Sequence, residues 1–86
     1  MSASKHTPGP WTKDRNIIED ANGNEIARVS YERSGYVQAN ARLIAAAPDL
    51  LEALRYLVRE ATANGMLDVE PAIIQASTAI AKVREV

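Results

Sequence analysis

Eighty-six residues carrying a net charge of −1, 47% apolar content and no cysteine describe one domain with a modest core, and exclude disulfides, thiolate metal sites and thiol catalysis. Residues 1–36 hold five basic and five acidic groups and residues 37–86 hold five and six, which is neither the basic stripe of a phosphate-backbone binder nor the acidity of a nucleic-acid mimic. The opening "MSASKHTPGP" lacks the apolar segment of a signal peptide, and no apolar run reaches the roughly 20 residues that span a bilayer. The chain is therefore read as soluble.

Residues 1–9 form a polar arm, expected to be flexible to about Thr7, with Pro8 and Pro10 opposing helix. Residues 10–36 read as a β-meander. Two β-prone runs, residues 16–19 and 25–31, flank "DANGN", and a short strand near Trp11 extends this hairpin to three strands, since an isolated hairpin is marginal in water. Two registers compete at the turn. A two-residue turn on Asn22 and Gly23 places Ile18 opposite Ala27. A turn opened by Asp20, with Gly23 in the left-handed position, places Asp20 opposite Asn24 and Ile18 opposite Ile26, and this second register is preferred because Asp and Gly suit those positions. Trp11 is expected in the sheet-to-helix core, its indole N–H on a backbone partner.

From about Val37 the apolar period becomes helical. Leu43, Ala47, Leu50, Leu54, Leu57 and Ala61 recur at steps of three and four, widened by Ile44, Leu51 and Val58. Pro48 lies inside this stripe without changing its phase. A mid-helix proline costs roughly 3 kcal/mol, whereas in the first turn of a new segment its missing N–H costs little and Asp49 and Glu52 gain from the helix dipole. The expectation is a helix kinked near residues 46–48, capped at its start by Asn40 or a residue just before it. Asn64 and Gly65 end the helix, Asp68 is the expected cap of the next, and Pro71 falls in the first turn of a last helix reaching about Arg84. The fold class is thus α+β: an antiparallel hairpin or three-stranded meander packed on an antiparallel pair of helices over residues 37–86, the first kinked at Pro48. The alanine-rich helix face packs on the sheet, or also on a second copy of the chain.

Chemistry is sparse. His6 is the single histidine, the carboxylates cluster at turns and caps, and the four glycines are isolated, so the reading is of a non-enzyme with no catalytic residues, no metal site and no cofactor. Polar and aromatic residues gather only at "SYERSGY". Arg28, Tyr31, Arg33 and Tyr36 are the candidate binding residues, of the types that anchor interfaces and stack on nucleotides. Packing at a strand end is the plainer account of the same residues.

The strings "HTPGPW" at 6–11 and "NARLIAAAPDLLEAL" at 40–54, with "DANGNEIA" between them, resemble a group of small uncharacterised proteins of bacteriophages and prophages. The resemblance covers residues 6–57. It implies a phage accessory protein acting in the cytoplasm of the infected bacterium, and by analogy an inhibitor of a host defence protein or complex, as anti-CRISPR proteins are. Two other readings stand beside it: an oligomeric sponge for a nucleotide signal, with Arg28, Arg33 and Tyr36 on phosphate and base, and a nucleic-acid-associated phage regulator, which the balanced charge disfavours. A homo-oligomer is compatible with each, and no membrane partner is expected.

Overall fold

The computed structural model describes residues 6–30 and 35–84. Three short strands, β1 (Thr12–Asp14), β2 (Ile17–Glu19) and β3 (Glu25–Arg28), form an antiparallel sheet in the order β1-β2-β3. Three helices follow: α1 (Val37–Ala45), α2 (Ala47–Ala63) and α3 (Pro71–Arg84). This is the α+β meander expected from the sequence. The chain divides into two compact units, one of Thr7–Leu50 and one built almost wholly from Leu51 onward.

In the first unit, β1 and β2 pair Lys13 with Ile18 and Asp14 with Ile17, leaving Arg15 and Asn16 as a two-residue turn. Arg15 takes φ 57°, the left-handed region that any residue with a Cβ disfavours. Asn16 is buried, and both its backbone and its side chain bond Val29: Val29 N–H donates to its carbonyl at 2.8 Å, and its own Nδ2 donates to the Val29 carbonyl at 2.8 Å.

The β2–β3 turn has the chemistry of the preferred register. Asp20 N–H donates to the Asn24 carbonyl, Gly23 N–H donates to the Asp20 carbonyl, and Gly23 sits at φ 85°. The strand register departs from the expectation. Glu19 faces Glu25, but Ile18 faces Ala27, because the ladder shifts between Ile18 and Glu19 and leaves Ile26 as a bulge residue. The row Lys13, Ile18, Ala27 therefore carries one large branched residue rather than two, and Ile26 and Ala27 are both half-buried.

Helix α1 packs across β1 and β2. The buried residues of this unit are Ile18, fully inaccessible at 0%, with Asn16, Val37 and Ala41. Burying Ile18 alone contributes on the order of 2–3 kcal/mol. The helix begins at Val37, earlier than an Asn40 cap allows: Tyr36 is the N-cap residue, without a side-chain cap bond, and its carbonyl accepts from Asn40 N–H at 2.8 Å. Asn40 is thus a first-turn residue.

Helical backbone persists through the proline region with a one-residue interruption. Ala46 stays right-handed at φ −82°, ψ −6°, its N–H donates to the Arg42 carbonyl, and its carbonyl accepts from Leu50 N–H at 2.9 Å. Pro48 is the second residue of α2, where the missing N–H is one that a new helix leaves unbonded, and Asp49 lies in the first turn.

In the second unit, α2 ends in a Schellman motif. Gly65 at φ 101° lets its N–H reach the Thr62 carbonyl while Met66 N–H reaches the Ala61 carbonyl at 3.0 Å. Pro71 opens α3. The residue before it is Glu70, whose carbonyl accepts from Ile74 N–H at 2.9 Å, so Asp68, expected as the cap, stands two residues before the capping position. Ile73 and Ile80 are buried, while α2 buries no residue fully.

Candidate functional site

The four residues singled out at "SYERSGY" have different fates. Tyr31 and Arg33 lie outside the described residues. Arg28, the last residue of β3, is held by a two-point ion pair with Glu25: Nε donates to Oε2 at 3.2 Å and Nη2 to Oε1 at 2.8 Å. The Glu25 carboxylate, by hydrogen bond and then by charge, raises the Arg28 pKa above its ordinary value. A phosphate approaching Arg28 meets a guanidinium already engaged. Tyr36 precedes α1 and is 64% exposed.

Tyr36 does not stand alone. Leu43 follows it by seven residues, two helical turns on, and is 63% exposed, while Val37 and Ala41 on the opposite side of α1 are buried. An aromatic and an aliphatic side chain thus share the outer face of α1, with Leu50 exposed one further heptad along.

The arm before β1 is built into the same unit. Trp11 is half-buried and its Nε1 donates to the Thr7 carbonyl at 3.1 Å. Gly9, joined to Pro10 by a cis peptide bond, lies against Pro48. A Cβ placed on Gly9 would stand 3.0 Å from Pro48 Cβ and 3.2 Å from its Cγ. The two most distinctive strings of the sequence therefore meet through a glycine and a proline ring.

The second unit contains an apolar groove of about 280 Å³. Its α2 wall is Leu54, Leu57, Val58 and Ala61, its α3 wall is Ala72, Ile73 and Ala76, and Met66 from the connection also lines it. All of these side chains are apolar. Leu57 on the rim is 64% exposed, and Leu67, Val69 and Ile74 of the same unit are exposed as well. Periodicity alone missed the groove, because it treats every stripe residue as core.

Among the described residues no group of three or more His, Cys, Asp or Glu is placed to hold a metal ion, and no helix is long and apolar enough to cross a membrane. The family model described as Salmonella phage P22 protein Y8K6 matches residues 1–85, and the chain belongs to that family. No curated protein and no solved structure matches it.

Proposed function

From membership in a phage protein family and from the surface of the first unit, we propose that this chain is a non-enzymatic phage accessory protein that binds and inhibits a component of bacterial defence, as anti-CRISPR proteins do, in the host cytoplasm. The single observation that carries the reading is the exposed Tyr36–Leu43 edge of α1, set on a unit whose core lies on the other side of that helix. Tyrosine and large aliphatic side chains on a rigid helix are what a protein interface uses as anchors. Occlusion needs only about 800 Å² per partner, within reach of a chain of this size. The Glu25 partner of Arg28 favours this over capture of a nucleotide.

Efficiency of plating tests the proposal. Phage lacking the gene plate less efficiently on hosts that carry the targeted defence system and equally well on hosts without it, and a Tyr36→Ala, Leu43→Asp chain fails to restore plating. Equal plating on both kinds of host, across a panel of defence systems, overturns the reading.

A further inference from the structure

The tripeptide Ala-Asn-Gly occurs twice in the chain, at residues 21–23 and 63–65, and the fold treats the two copies differently. We propose that Asn22 is a site of spontaneous deamidation, converting in the folded chain to aspartate and isoaspartate, while Asn64 is held in a form that resists the same reaction.

An asparagine followed by glycine is disposed to this chemistry, because no Cβ on the glycine obstructs its nitrogen. The Gly23 nitrogen, giving its proton to hydroxide, attacks Cγ of Asn22. The Cγ–Nδ2 bond breaks, and ammonia leaves with a proton taken from water. Water then opens the resulting succinimide at either carbonyl: attack at Cγ yields aspartate, and attack at the backbone carbon yields isoaspartate. The net change is gain of water and loss of ammonia, so no reactant beyond the solvent is needed.

What the fold sets is the freedom of the reacting groups, the side-chain amide and the glycine nitrogen. Both asparagines are exposed, and a Cβ on either glycine would meet nothing within 4 Å, so solvent reaches both places. In the β2–β3 turn, Asn22 N–H donates to Asp20 Oδ1 at 2.9 Å, but no hydrogen bond holds the Asn22 side chain among the described residues. Its amide is free to swing toward Gly23, whose N–H donates to the Asp20 carbonyl at 3.1 Å. At the end of α2 the side chain is tied. Asn64 Nδ2 donates to the Glu60 carbonyl at 2.7 Å, and Asn64 N–H donates to the same carbonyl at 3.0 Å. Gly65 N–H is engaged on the Thr62 carbonyl at 3.2 Å, inside the Schellman motif. Reaction at Asn64 therefore needs the side-chain bond released and the last turn of a helix opened. Release of that one bond corresponds to about a tenfold lower rate, 1.4 kcal/mol of barrier.

Conversion at Asn22 changes the hairpin. Either product adds a negative charge two residues from Asp20, beside a ladder in which Glu19 already faces Glu25. Isoaspartate also inserts a carbon into the main chain, in the turn that sets the β2–β3 register.

The test uses the full chain alone, incubated at mildly alkaline pH both natively and in concentrated urea. Trypsin separates the two sites into peptides 16–28 and 60–82, and fragmentation mass spectrometry locates aspartate and isoaspartate in each. In the native chain Asn22 is expected to convert about tenfold faster than Asn64. In urea the two rates are expected to draw level, because the tripeptides are the same. Native conversion of Asn64 at the pace of Asn22 or faster, or no native conversion of Asn22, overturns the proposal. So does a rate difference that persists in urea, since it then comes from the flanking sequence and not from the fold.

Discussion

Gly9→Ala adds one methyl group where the structure has no room for it. The new Cβ would lie 3.0 Å from Pro48 Cβ and 3.2 Å from Pro48 Cγ, against 3.4–4 Å for ordinary contact. Neither atom belongs to a side chain that can swing away, because the pyrrolidine ring is fixed to the backbone of α2. Gly9 is outside the left-handed region, unlike Gly23, Gly35 and Gly65, so the glycine is needed for space and not for conformation. Relief requires the arm and the start of α2 to move apart by a few tenths of an ångström, the kind of overpacking that costs about 1–3 kcal/mol. For a domain of this size, 2 kcal/mol corresponds to a fall of roughly 8–16 °C in the thermal midpoint. Urea unfolding followed by the fluorescence of Trp11, the sole tryptophan, measures it two residues from the substitution. A double-mutant cycle isolates the contact. Pro48→Ala keeps the Cβ at 3.0 Å, so the Gly9→Ala penalty persists in large part; Pro48→Gly removes it, and the coupling is about 1–2 kcal/mol. A Gly9→Ala effect below about 0.5 kcal/mol, or an equal penalty in the Pro48→Gly background, refutes the packing argument.

Three further substitutions probe the local chemistry. Arg15→Gly relieves the left-handed backbone at an exposed turn and is expected to stabilise by about 1 kcal/mol in urea unfolding; destabilisation shows that the side chain contributes to the turn. Gly65→Ala strains φ 101° and the Schellman bonds at the end of α2, with an expected loss of about 1 kcal/mol in stability, read by circular dichroism during thermal melting. The Asp20 carboxylate accepts from Asn24 N–H and Asn22 N–H, each at 2.9 Å, and these bonds, that from Asn24 foremost, hold its pKa below the ordinary 3.8. Its stabilising contribution is therefore fully present above 3.8 and is lost as pH falls through the lower folded value. A carboxyl NMR titration midpoint at or above 3.8 contradicts this, and Asp20→Asn is expected to remove this part of the acid sensitivity.

What the sequence showed, it showed through local chemistry. Asp20 and Gly23 identified the turn, Gly65 the end of α2, Pro71 the start of α3, and the unbroken apolar phase located Pro48 at a helix restart, because each effect acts within a few residues. The contact of Gly9 with Pro48 joins residues far apart in the chain, and no local rule contains it. The bulge at Ile26 is a compromise between turn and ladder that strand alternation cannot express, and Arg15 was hidden because arginine is not a residue that announces left-handed backbone. At the candidate sites, Arg28 and Tyr36 were chosen by residue type alone. Only the folded chain brings Glu25 onto the first, Leu43 beside the second, and Leu57 to a groove instead of a core.

The binding role is tested most directly by affinity purification of the tagged chain from infected host cells followed by mass spectrometry. A defence component is expected to be retained in near-stoichiometric amount by the natural chain and lost with Tyr36→Ala, Leu43→Asp. Retention of no host protein above background, or retention unaffected by those two substitutions, contradicts it.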